Sequence, residues 1–189
     1  MKLSPDFERA LIYATLVHAH QERKGSGIPY IAHLLGVCSI VLENGGDEDA
    51  AIAALLHDAP EDVGGRGRLE DIRNRFGEAV AEIVEGCTDT FDTPKPEWKQ
   101  RKEQYIAHIG AASPATRLVS AADKLHNARA ILADLRAKGD KVFEIFKGGK
   151  KGTLWYYRAL VEAYRKAGTN PLVEELDRVV TQIEDEAGK

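Results

Sequence analysis

Apolar residues in this chain recur at intervals of three and four, and no window of period-two alternation competes with that spacing. A chain patterned this way buries stripes along helices rather than alternate faces of strands. Three capped proline steps sharpen the reading. Ser4-Pro5, Ser113-Pro114 and Asn170-Pro171 each set a capping side chain ahead of a proline, which suits the first helical position. The first helix is expected to reach about His20, with Leu11, Ala14, Leu16 and Val17 in its stripe. The second covers Tyr30 to Leu42, with Leu34, Val37, Cys38 and Val41 on one face, and Asn44-Gly45-Gly46 stops it. Asp47 caps a third that runs to about His57 and is apolar nearly all round, as a buried central helix is. Pro60 breaks it, and Gly64-Gly65-Arg66-Gly67 reads as a loop. Further helices are expected over Leu69–Phe76 and Glu78–Thr88, from Pro96 to Ile109, and from Pro114 to Ala137. The last three lie near Asp140–Phe146, over Lys151–Lys166, and from Pro171 to a fraying end at Glu184–Lys189. The expectation is an all-α bundle of about eight to ten helices. It forms a single domain over residues 1–189 with its core at about 5–180.

Composition narrows the function classes. The net charge is −4, whereas a domain that coats nucleic acid is normally basic. The longest apolar stretch, Ala50–Leu56, is too short to span a bilayer, and the first residues lack the apolar run of a signal peptide. The expected setting is therefore cytoplasmic, without nucleic-acid or membrane partners; oligomeric state is not legible. Cys38 and Cys87 form no C-x-x-C pair and read as two small buried hydrophobes.

The segment that carries chemistry is His57-Asp58-Ala59-Pro60-Glu61-Asp62. An imidazole and three carboxylates follow directly on the most apolar helix. Charges at the edge of a core are costly unless paired or ligated, and a divalent cation would account for them. Adjacent helical residues point about 100° apart. His57 and Asp58 can therefore share one metal only if the helix ends there, and Pro60 says that it does. A plain polar helix terminus is the competing reading. His33, on a helix with an apolar face, is a ligand or a packed core histidine. Asp123 lies among small residues in the long helix, one turn from Asn127, and is a ligand or an ion-pair partner of Lys124. Two imidazoles and two carboxylates suit Mn²⁺ or Fe²⁺, are compatible with Zn²⁺, and suit Mg²⁺ less.

Four motifs in chain order resemble those of the HD-type metal phosphohydrolases, and within them the ppGpp hydrolases. The opening Arg23-Lys24-Gly25-x-Gly27-x-Pro29-Tyr30-x-x-His33 is similar to theirs. So are His57-Asp58-x-x-Glu61-Asp62, Gly86-x-Thr88-Asp89 and Ala122-Asp123-Lys124-Leu125-x-Asn127-x-Arg129, within the order H…HD…D. The similarity runs from about residue 5 to residue 180 and is nearest to the single-domain small alarmone hydrolases. It implies one Mn²⁺ held by His33, His57, Asp58 and Asp123. Glu61 and Asp62 would position and activate the attacking water, Asn127 would hold the substrate, and Arg23 would pack along the guanine, with Lys24 beside it. The sequence departs from the pattern at Leu34, at Ala59-Pro60 and at His126, none of which removes a ligand.

A polyphosphate also needs cations. Lys95, Lys99, Arg101 and Lys102 cluster after the Thr88-Asp89 loop, and Lys147, Lys150 and Lys151 form a second group. Lys151 and Trp155 are four apart, so a cation-plus-aromatic wall for a nucleotide could form there. The implied activity is hydrolysis of the 3′-pyrophosphate of ppGpp or pppGpp. A phosphatase acting on the 2′-phosphate of NADPH and a catalytically inactive alarmone sensor are the alternatives.

Overall fold

In the computed structural model, which describes residues 2–92 and 94–188, ten α-helices carry the chain. They are α1 (Pro5–Val17), α2 (Ile31–Glu43), α3 (Glu48–Leu56), α4 (Ala59–Asp62) and α5 (Gly65–Phe76). Then come α6 (Glu78–Cys87), α7 (Trp98–Ile109), α8 (Pro114–Lys138), α9 (Gly149–Ala167) and α10 (Pro171–Ala187). A 3₁₀ turn, Gly139–Ile145, joins α8 to α9. The only extended pairing among the described residues is an isolated bridge between Glu22 and Pro29. The expected all-α class therefore holds. No helix of the described residues is long and apolar enough to cross a membrane.

The proline steps start helices as expected. Ser4 Oγ accepts from Asp6 N at 3.1 Å, Ser113 Oγ from Thr116 N at 3.1 Å, and Asn170 Oδ1 from Val173 N at 2.9 Å. Several ends differ from expectation. α1 stops at Val17, and residues 18–20 form a turn. α5 begins at Gly65, inside the expected loop, and α9 begins at Gly149, ahead of the expected Lys151. Both are glycines at positive φ, 57° and 56°, a turn into the helix that a residue without a β-carbon makes readily. α10 does not fray at Glu184 but continues to Ala187, which is buried, as is Ile183. Thr93, in the expected Asp89–Pro96 loop, and Lys189, in the expected fraying end, lie outside the described residues.

The helices gather into two compact units. One holds the chain through Lys95 together with Ala112–Ala122. The other holds Pro96–Ala111 and everything from Asp123 onward, so α8 contributes its first part to one and its remainder to the other. In the first unit α3 is the centre. Every residue from Ala50 to Leu56 is buried, and α1, α2 and α6 pack on it. The Asp47 side chain caps α3 by accepting from Ala50 N at 2.9 Å. Gly86 of α6 lies against Thr116, itself held by Ser113; a β-carbon at residue 86 would fall 2.6 Å from Thr116 Cγ2. In the second unit α9 packs on α7, α10 and the 3₁₀ turn. Arg158 ties α9 to α10 through Asp177, Glu184 and Thr181.

Two outcomes follow from this packing. Gly86→Val is expected to lower stability by about 1–3 kcal/mol, as overpacking does, read from the urea midpoint. Cys38 is 4% exposed, and burial pushes its thiol up to about 11. The folded protein at pH 8 is therefore expected to leave Cys38 unalkylated by iodoacetamide. Mass spectrometry before and after unfolding checks this.

Candidate metal centre

The end of α3 makes the site. α3 stops at Leu56, His57 follows as its cap, and Asp58 precedes the short α4, whose second residue is Pro60. The break turns the two neighbouring side chains toward one another, and His57 Nε2 comes 3.1 Å from Asp58 Oδ2. His33, third residue of α2, brings its Nε2 to 3.5 Å from the same oxygen. Both rings are buried, 5.4 Å apart between centroids. Ala54 O accepts from His57 Nδ1 at 2.8 Å, so Nδ1 carries the hydrogen and Nε2 presents its lone pair. Tyr30 donates its hydroxyl to Asp58 Oδ2 at 2.6 Å. One donor atom from each of His33, His57 and Asp58 lies within 4.8 Å of the others. Two imidazole nitrogens and a carboxylate oxygen this close fit a divalent first-row cation, whose bonds to such donors are about 2.0–2.2 Å.

One turn on stand Glu61 and Asp62 of α4. Glu61 pairs with Lys95 at 2.8 Å and accepts from Asp89 N at 3.3 Å. Asp62, open to solvent on one side, accepts from Gln21 Nε2 at 2.7 Å. Lost hydration on its protein side, then the charge of Asp58, push the Asp62 carboxyl above its usual range; the Gln21 amide pulls it back. Arg23 and Lys24 lie in the loop before α2. The Arg23 backbone N donates to Ile28 O at 2.8 Å, and Lys24 is exposed. Sequence reasoning assigns Tyr30 and Gln21 no role, yet each bonds a carboxylate of this cluster. Tyr30 lies one turn before His33, which is a usable signal; nothing in the sequence joins Gln21 to Asp62. Lys95, read as a phosphate cation, here pairs with Glu61.

The remaining candidates belong to the second unit. Asp123 is buried, and its carboxylate accepts from Lys124 Nζ at 2.6 Å and from Asn127 Nδ2 at 2.5 Å. Lys99 sits 4.0 Å above the Trp155 ring, and Lys102 5.0 Å from that of Tyr156. The cation over Trp155 is thus Lys99, while Lys151 is exposed at the start of α9. Arg101 is buried and donates to Pro96 O at 3.1 Å.

A model of the HD domain family matches residues 10–154. The chain belongs to the HD-domain family. This HD-domain chain is 39% identical over 120 residues to MESH1 of Danio rerio, named guanosine-3′,5′-bis(diphosphate) 3′-pyrophosphohydrolase. The alignment covers 62% of the chain and 64% of that relative. The human protein of the same name is 38% identical over the same shares. The chain thus spans somewhat under two thirds of the length of these relatives. A protein of the same chemical name from Aquifex aeolicus is 34% identical over 137 residues, 72% of the chain and 19% of that relative. Among solved structures, one described as a metazoan ortholog of SpoT that hydrolyses ppGpp matches with a TM-score of 0.78 at 30% identity. It covers 96% of the chain and 97% of its own.

The Asp62 environment gives a testable sign. A carboxyl titrating above its unfolded value penalises the ionised folded form. The penalty is full above the folded pKa and absent below the unfolded one, about 3.9. Asp62→Asn in metal-free protein is therefore expected to raise Tm at pH 7. Calorimetry should show the difference vanish near about pH 3, below that unfolded value.

Proposed function

We propose that this chain is a divalent-metal-dependent pyrophosphohydrolase. It cleaves the 3′-pyrophosphate of guanosine tetra- or pentaphosphate, giving pyrophosphate and GDP or GTP. One observation carries the reading: His33, His57 and Asp58 converge within 4.8 Å, with Glu61 and Asp62 one turn beyond, in an HD-domain chain. The likeness to relatives named for this reaction supports it. The family match also runs through both compact units, which supports reading residues 1–189 as one HD phosphohydrolase domain. The partner on this reading is a small nucleotide, and the setting cytoplasmic.

His33, His57 and Asp58 would hold the metal, with Asp123 as the fourth ligand on the sequence pattern alone. Mn²⁺ suits this set best, and Fe²⁺ or Zn²⁺ also fits. A bound divalent ion supplies Lewis acidity toward a phosphoryl oxygen and toward water. The chain's own residues do the rest. Glu61 and Asp62 orient the attacking water and take its proton, and Lys95 and Asp89 N hold Glu61 in place. The water oxygen bonds to the phosphorus next to the ribose 3′-oxygen, the bond to that oxygen breaks, and the oxygen takes a proton from solvent to leave as the 3′-hydroxyl. Asn127, Arg23 and Lys24 would hold the nucleoside part. Lys99, Arg101, Lys151 and Trp155 would serve the phosphates and base.

The test is pyrophosphate release from ppGpp with Mn²⁺, run beside phosphate release from NADPH. Wild type is expected to turn over ppGpp, and Glu61→Gln to lose at least about 100-fold in kcat. Calorimetry is expected to find one Mn²⁺ per chain, lost in Asp58→Ala. Turnover of NADPH alone would move the substrate. Tight ppGpp binding without turnover at any metal would make the chain a sensor.

A further inference from the structure

The loop between α1 and α2 holds a buried histidine that the proposed mechanism does not use. His18 caps the end of α1 and is 3% exposed. Its Nδ1 lies 2.6 Å from Gln21 Oε1, and Gln21 Nε2 lies 2.7 Å from Asp62 Oδ2. The order of atoms in this line is determined chemically. A carboxylate only accepts, so the amide must turn its NH₂ toward Asp62. Its oxygen then faces the ring, so Nδ1 is the ring nitrogen that carries hydrogen. The other ring nitrogen, Nε2, is buried and finds no hydrogen-bond partner among the described residues.

An orphaned buried nitrogen needs a reason. A ring that merely filled space at the end of α1 would be better apolar. What histidine adds over an apolar ring is the Nδ1 donor. The other end of the line explains why that donor matters. Asp62 is open to solvent, so no packing holds its carboxylate in one rotamer; the Gln21 amide does. Gln21 is held in turn by His18, through the side chain and through its backbone N, which donates to His18 O at 3.0 Å. The ring also stacks on Tyr30 at 5.2 Å between centroids, and Tyr30 donates to Asp58. Tyr30 N donates to Gln21 O at 2.9 Å, closing the frame.

We infer that His18 is a positioning residue that, through Gln21, holds the Asp62 carboxylate in the orientation the hydrolytic step needs. This rests on the reading of Asp62 as one of the pair that handles the water. Supporting partners of this kind typically change activity by about 10–100-fold when removed.

Two measurements on the full chain test it. In metal-free protein labelled with ¹⁵N at histidine, His18 is expected to show hydrogen on Nδ1 and a lone pair on Nε2. Asp62→Ala, which frees the amide to turn, is expected to relax that preference. The second measurement compares His18→Asn with His18→Gln in the ppGpp and Mn²⁺ assay. Both remove the stacked ring, but asparagine sets an N–H near the place of Nδ1 and glutamine near that of Nε2. His18→Gln is expected to fall at least about tenfold below His18→Asn in kcat, with KM, Mn²⁺ affinity and Tm alike. A wild-type ring with its hydrogen on Nε2 overturns the inference, as do equal kcat values in the two variants of an active enzyme. A wild type inert toward ppGpp overturns the proposed function instead, and the ring spectrum then still decides the His18–Gln21–Asp62 line.

Discussion

Three side chains of the first unit, from two stretches of the chain, meet at one atom, Asp58 Oδ2. Tyr30 donates to it, and the Nε2 atoms of His33 and His57 lie 3.5 and 3.1 Å away. A carboxylate among buried imidazoles is expensive unless its neighbours compensate its charge. Much of the surrounding structure serves that end. α3 can be apolar on every side because α1, α2 and α6 cover it. That burial delivers His57 and Asp58 to a defined place, and Pro60 prevents α3 from carrying them apart. Tyr30 and His33 arrive together because they stand one turn apart where α2 begins. The Glu61–Lys95 pair and the Asp62–Gln21 bond then hold the next two carboxylates without a second buried charge left bare.

Helices were legible where local chemistry dictates them. Ser4-Pro5, Asp47, Ser113-Pro114 and Asn170-Pro171 cap and start helices through bonds to residues two or three positions on, and such bonds need no tertiary help. Gly65 and Gly149 were not legible, because each enters its helix at positive φ, and a glycine in sequence marks such a turn and a plain loop alike. The same division holds at the site. His33, His57 and Asp58 stand out by residue type and by the helix break. The bonds Gln21–Asp62 and Lys95–Glu61 span 41 and 34 residues and answer to no spacing rule.

The second unit shows another limit of reading along a chain. In sequence Lys99 and Lys102 read as cations for a polyphosphate and Lys124 as an ion-pair partner of Asp123. In the structure each ammonium lies along an aromatic face, of Trp155, Tyr156 and Tyr105 respectively. Such contacts are worth about 0.5–1 kcal/mol when exposed and more when desolvated. Lys124 is the extreme case. Its burial works against the charge, yet Asp123 and the surrounding tyrosines keep it protonated well above the usual lysine range. Aromatic and cation are up to 56 residues apart, so helical spacing alone pairs the wrong lysine with Trp155.

Trp98 lies against Gly148 and Gly152, and its ring stands 6.1 Å from that of Trp155. These are the only two tryptophans of the chain, and both belong to the second unit. Intrinsic tryptophan emission is therefore a private reporter of that unit, while far-ultraviolet dichroism sees the helices of both. Comparing the two optical signals during unfolding thus separates the loss of the second unit from the loss of helix in the chain as a whole, with no label added.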